Sequence, residues 1–179
     1  MAVIDVKKDL DALTLTITAE FDAAIARVWQ LWADPRKLEC WWGPPTYPVT
    51  FVDYGFSPGG TVRYYMTSPE GDRHHGWWRL LSIDAPSRLV FEDGFADEHG
   101  DPNRELPVTS NVVTLTQLST TRTRMVIVTT FPSREAMEQI LEMGFAEVLS
   151  AGVGQMDELL KDEVATKAPD ANTRGRTDR

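Results

Sequence analysis

One stretch limits what this chain can build. From Pro132 to Leu160 apolar residues recur at helical spacing: Met137, Ile140, Leu141, Phe145, Val148, Leu149, Val153, Met156, Leu159 and Leu160 share one face. Between Leu13 and Phe131 the chain is cut into short pieces, most of them at the period of a strand. A sheet made of those strands has one apolar face to cover, and only the terminal helix is long enough to cover it. The expected architecture is therefore α+β, with a curved antiparallel β-sheet wrapped around a long C-terminal helix. Two short helices near the N-terminus would close the open end. A sheet gripping a helix in this way leaves room for a pocket between them.

The pieces read as follows. Leu13-Thr14-Leu15-Thr16-Ile17-Thr18-Ala19 alternates apolar residues with threonine, the pattern of a half-buried strand. Asp22 offers a helix N-cap, and Ile25, Val28, Trp29 and Trp32 form one helical stripe that Asp34-Pro35 ends. Further strands are expected at 49–53, 61–67, 74–83, 88–92, 112–118 and 123–131. Pro58-Gly59-Gly60, Pro69-Glu70-Gly71-Asp72, Ala85-Pro86-Ser87 and Ser119-Thr120-Thr121 mark turns between them. Asp93 to Pro107 reads as a solvated acidic loop. Gly144, Gly152 and Gly154 fall inside the expected long helix, where each costs about 1 kcal/mol against alanine. Close packing of helix on sheet explains them more simply than space left for a ligand. The domain plan is an N-terminal extension over 1–12, one domain over 13–161, and a polar, disordered tail over 162–179.

Composition narrows the function. The 179 residues carry a formal net charge of -9, which disfavours nucleic acid and anionic membrane surfaces as partners. The one cysteine, Cys40, allows no internal disulfide. No stretch has the length and apolarity of a membrane span, and no leader pattern opens the chain, so it reads as cytoplasmic. Phosphate-binding loops, dinucleotide fingerprints, nucleophile elbows and cysteine-rich clusters are all missing, and no cofactor is expected.

The tryptophan-rich run Trp41-Trp42-Gly43-Pro44 follows the first helix. Two indoles in a loop make sense as a plug at the end of a cavity or core. Adjacent strand residues face opposite sides. Alternation with Val62 and Met66 places Tyr64 on the inner face, and alternation with Leu81 and Ile83 places His75, Trp77 and Arg79 there too. The expected ligand-binding set is Trp41, Trp42, Tyr64, His75, Trp77, Phe91, Met137, Phe145 and Leu149, with ordinary core as the competing reading. His75 and Arg79 are the candidate acid–base or oxyanion groups. His74 and His75 diverge, so no metal site is expected.

Glu20-Phe21-Asp22-Ala23, Val28-Trp29, Trp32, Asp34-Pro35, Trp41-Trp42-Gly43-Pro44 and Pro58-Gly59-Gly60 occur in that order. Ser68-Pro69-Glu70-Gly71, Gly76, Arg88-Leu89-Val90-Phe91, Phe131-Pro132-Ser133, Met143-Gly144 and Leu159-Leu160 follow. With these residues the chain resembles the single-domain bacterial proteins related to the C-terminal domain of the activator of Hsp90 ATPase (AHSA1-like). These lie within the START-like, Bet v 1-like (SRPBCC) superfamily. The resemblance implies the helix-grip fold and a cavity between sheet and C-terminal helix for a hydrophobic or aromatic small molecule. It also implies two alternatives: a polyketide cyclase or aromatase-like enzyme using the same cavity, and a co-chaperone-like module binding Hsp90. The chain departs from relatives at Ala24, where many carry proline, and at Leu149, near which many carry tryptophan. The second departure would reshape the pocket. Edge strands and the acidic loop leave a homodimer as an open expectation.

Overall fold

The computed structural model describes residues 2–166. Its strands are β1 (Val3–Asp9), β2 (Thr14–Phe21), β3 (Val49–Tyr54), β4 (Thr61–Thr67), β5 (Arg73–Asp84), β6 (Arg88–Phe95), β7 (Thr109–Ser119) and β8 (Arg122–Thr130). They form one eight-stranded sheet in the order β1-β2-β8-β7-β6-β5-β4-β3, antiparallel throughout. The helices are α1 (Ile25–Ala33), α2 (Pro35–Leu38), α3 (Arg134–Glu142) and α4 (Phe145–Thr166). None of the described helices is long and apolar enough to cross a membrane.

The alternation that marks β2 in the sequence is the alternation of its burial. Leu15, Ile17, Ala19 and Phe21 face the core, and the residues between them are only partly buried. Helix α1 buries Val28, Trp29, Leu31 and Trp32. It starts two residues later than Asp22 suggests: Ala24 occupies the N-cap without a side-chain bond. Asp34 ends α1 and caps α2, its carboxylate accepting from the Arg36 N–H at 2.9 Å, while Pro35 sits in the first turn.

Three expectations are corrected. The segment assigned to an N-terminal extension forms β1, paired with β2 from Val3 opposite Ala19 to Asp9 opposite Thr14. Its sequence hides this because Ile4 and Val6 stay exposed, so the strand is held by backbone hydrogen bonds and not by an apolar face. The long terminal helix is two helices. Gly144, at φ +85°, breaks it, a conformation glycine adopts without steric cost. The Ser133 hydroxyl accepts from the Ala136 N–H at 3.0 Å and caps α3. Finally, residues 162–166 of the expected tail continue α4, while 167–179 lie outside the described residues.

Beneath α1, α2 and α4 the core is dense with rings. Trp32 and Trp41 meet edge to face at 4.6 Å, Trp42 and Trp78 at 4.8 Å, and Trp78 stacks on Phe91 at 4.3 Å. These are preferred geometries for aromatic pairs. Arg27 and Lys37 both pair with Glu163, tying the first two helices to α4.

Candidate functional site

The aromatic core does not fill the space between sheet and helices. At one end a cavity of about 190 Å³ remains. Its floor is the concave face of β4, β5 and β6 (Tyr64, Met66, Gly76, Asp93, Phe95), with Thr109 from β7. Its roof is Ile140 of α3 and Phe145, Val148, Leu149 and Gly152 of α4, and its inner wall is Trp41-Trp42-Gly43. Exposed His74 and half-buried Met66, His75 and Pro107 form the mouth.

The tryptophan run is fixed in place from two sides. The Trp41 indole N–H donates to the Leu31 carbonyl at 2.8 Å. The Gln155 amide on α4 donates to the Gly43 carbonyl at 2.8 Å. Gly152 lies against the Trp41 carbonyl so closely that a Cβ there would stand 2.8 Å from its oxygen. Gly152 is thus a packing residue, but it seats α4 on the tryptophan loop and not on the sheet, while nothing stands within 4 Å of a Cβ at Gly144 or Gly154. Gly152→Ala should cost about 1–3 kcal/mol by forcing α4 off the tryptophan loop. Urea denaturation measures it, and a cost below a few tenths of a kcal/mol would refute the contact.

The inner face of β5 is the opposite of the expected one. Gly76, Trp78 and Leu80 point inward, while Trp77 and Arg79 belong to the outer face. The cause is a β-bulge between Leu80 and Ser82, which reverses parity along the strand. Counting back from Leu81 and Ile83 across that bulge puts every residue on the wrong side, and Leu81 itself is exposed. Trp77 packs outside, its ring over Gly94 and its N–H donating to the Phe95 carbonyl at 3.0 Å. Arg79 is exposed. His75 reaches the cavity rim but shares the outer face with Tyr65, whose ring lies 5.6 Å away. His74 shares the inner face with Tyr64 and Trp78. The two candidate acid–base residues, His75 and Arg79, therefore do not converge inside.

Of the expected ligand-binding set, Trp41, Trp42, Tyr64, His75, Phe145 and Leu149 line the cavity. Phe91 is one layer deeper, under Trp78, and Met137 is buried in the core beneath α3. Neither is among the lining residues.

The residue that sequence reasoning missed is Asp93. It sits near the end of β6, not in a solvated loop, and lines the cavity half-buried. The Tyr64 hydroxyl donates to its Oδ1 at 3.0 Å. This contact requires Gly76 between them in sequence order of the strands: the Tyr64 ring lies across Gly76, where a Cβ would fall 2.3 Å from a ring carbon. Burial pushes the Asp93 carboxyl up to about 7, against the opposing influence of the Tyr64 and Trp78 donors. Burial, then the nearby Asp93 charge, pushes the Tyr64 phenol well above its usual range, so it remains a donor. The Trp42 and Trp78 indole N–H groups close no hydrogen bond of good geometry, although both lie near Tyr64 and Trp78 also near Asp93. Buried Leu89 and Phe91 alternate toward Asp93, so extending the strand by one residue in the sequence would have found it.

Among the described residues no three His, Cys, Asp or Glu side chains gather to hold a metal ion.

This arrangement of sheet and helices is a shared one. The family model described as "Activator of Hsp90 ATPase homolog 1-like protein" matches residues 22–161. The chain belongs to this family. Among solved structures, the family's fold recurs in a protein from Arthrobacter aurescens, 46% identical, with TM-score 0.86 over 97% of this chain and 99% of that one. Protein Ms6760 from Mycobacterium smegmatis is 51% identical, with TM-score 0.81 over 88% of this chain and 96% of that one. An AHSA1 protein from Silicibacter pomeroyi, 18% identical with TM-score 0.68 over 84% of this chain and 99% of that one, shares the fold alone. No curated protein matches the chain. The helix-grip, Bet v 1-like architecture expected from the sequence is the architecture observed.

Proposed function

We propose that this AHSA1-like protein binds a small hydrophobic or aromatic molecule between its sheet and α4. The observation that carries this reading is the cavity of about 190 Å³, lined chiefly by aromatic and aliphatic side chains and open at the His74 end. A dry apolar cavity of about 150 Å³ accepts benzene. The space here fits one substituted ring. Ligand sites for larger molecules run from about 300 Å³ upward, so a lipid chain or a fused polyketide exceeds it. The cyclase-like alternative also loses its acid–base pair, because Arg79 is outside. An Hsp90 partner is supported by the family description alone.

Single-ring compounds such as toluene and phenol should raise the melting temperature by about 5–10 °C at a hundredfold excess over Kd. Leu149→Trp should fill the roof, abolish that shift and leave the fold intact. Silence across a panel of single-ring compounds, or equal shifts in the Leu149→Trp variant, would overturn the proposal.

A further inference from the structure

We infer that the cavity is built for a small amine, its ring seated among Trp42, Phe145 and Leu149 and its ammonium group on the Asp93 carboxylate. This inference rests on the small-molecule reading above and narrows it to a chemical class.

The first observation is an acid without a counterion. Among the described residues Asp93 is the only carboxylate lining the cavity, no lysine or arginine lines it, and no cation pairs with Asp93. A buried carboxylate is costly unless paired and hydrogen-bonded, and such a group calls for an explanation. One hydrogen bond is already in place, from the Tyr64 hydroxyl to Oδ1, and the Trp78 N–H ends close by without a partner of good geometry. What the site lacks is the positive charge. An ammonium supplies it, whereas a neutral alcohol does not and a carboxylate ligand would meet Asp93 as a like charge.

The second observation is the aromatic lining. Trp41, Trp42, Tyr64, Phe95 and Phe145 all border the cavity. Ring faces attract cations, tryptophan most strongly, and more so where water is excluded. An aromatic enclosure with a single carboxylate is the chemistry by which proteins hold amines. The third observation is the field outside. The chain carries a net charge of -9, and exposed Asp97, Glu98 and Asp101 follow β6 on the loop that leads to Pro107 at the mouth. That field concentrates cations and repels anions. The other titratable groups bordering the cavity are Tyr64, His74 and His75, and the helical roof contributes none.

Calorimetric titration of the full chain at pH 8 with benzylamine, benzyl alcohol, toluene and benzoate tests this. Benzylamine should bind at least tenfold more tightly than benzyl alcohol or toluene, and benzoate should not bind. Asp93→Asn should weaken benzylamine at least tenfold while changing toluene less than twofold. Leu149→Trp should abolish benzylamine binding, which separates the cavity from loose attraction of a cation to an acidic surface. Tyr64→Phe, which keeps the ring across Gly76, should also weaken benzylamine selectively and serves if the Asp93 variant does not fold. Toluene binding as tightly as benzylamine, or benzylamine surviving in Leu149→Trp, would overturn the amine inference and leave the small-molecule reading standing. Failure of all four compounds to bind would remove both.

Discussion

Asp93→Asn is expected to stabilise the protein by roughly 2–4 kcal/mol at pH 8 and to change it little near pH 4. The folded-state pKa of Asp93 is raised by burial from 3.8 to about 7. Between those values the folded protein holds a proton that the unfolded chain has lost, so stability falls as pH rises. The slope from this group is about 1.4 kcal/mol per pH unit, and it flattens above pH 7. Asparagine does not titrate and still accepts from the Tyr64 hydroxyl through its amide oxygen. Asp9, Glu20, Asp97 and Glu163 have lowered pKa values and contribute with the opposite sign, but they do so in both proteins. Urea unfolding of the two proteins at several values between pH 4 and pH 8 isolates the Asp93 contribution. Parallel profiles would mean that the carboxyl is solvated.

Trp78→Ala should cost about 3–5 kcal/mol, and Trp77→Ala about 1–2 kcal/mol. Trp78 is fully buried, stacked on Phe91 and in edge contact with Trp42. Its removal leaves a hole that rings fixed on three sides cannot collapse to fill. Trp77 is half-buried outside the sheet, where it loses its contact with Gly94 and one hydrogen bond to the Phe95 carbonyl. Urea midpoints of the two variants decide which indole faces in. A larger loss at Trp77 would reverse the face assignment of β5.

Much of the fold is legible in the sequence because period and punctuation carry it. The threonine alternation in β2, the Asp34-Pro35 boundary between α1 and α2, and the turns between strands follow from local chemistry. Tyr64 is on the inner face because β4 has no bulge between Val62 and Met66. β5 has one, and a single extra residue was enough to send Trp77 and Arg79 to the wrong face. β1 escaped because its side chains bury so little, and its existence is a matter of backbone pairing with β2. Gly144 looked like a cost inside one helix because its positive φ is a property of the folded backbone. Asp93 reads as surface in the sequence because charged residues usually are, and Tyr64 and Trp78, which come from β4 and β5, are what the sequence does not show beside it.

The break at Gly144 has a bearing on the cavity roof. Ile140 comes from one side of that joint and Phe145, Val148 and Leu149 from the other, so the ceiling is two helical segments joined at one glycine. The angle between the two halves of the ceiling is therefore set by the one residue type that takes this turn without strain, and a side chain at position 144 would have to hold the same positive φ.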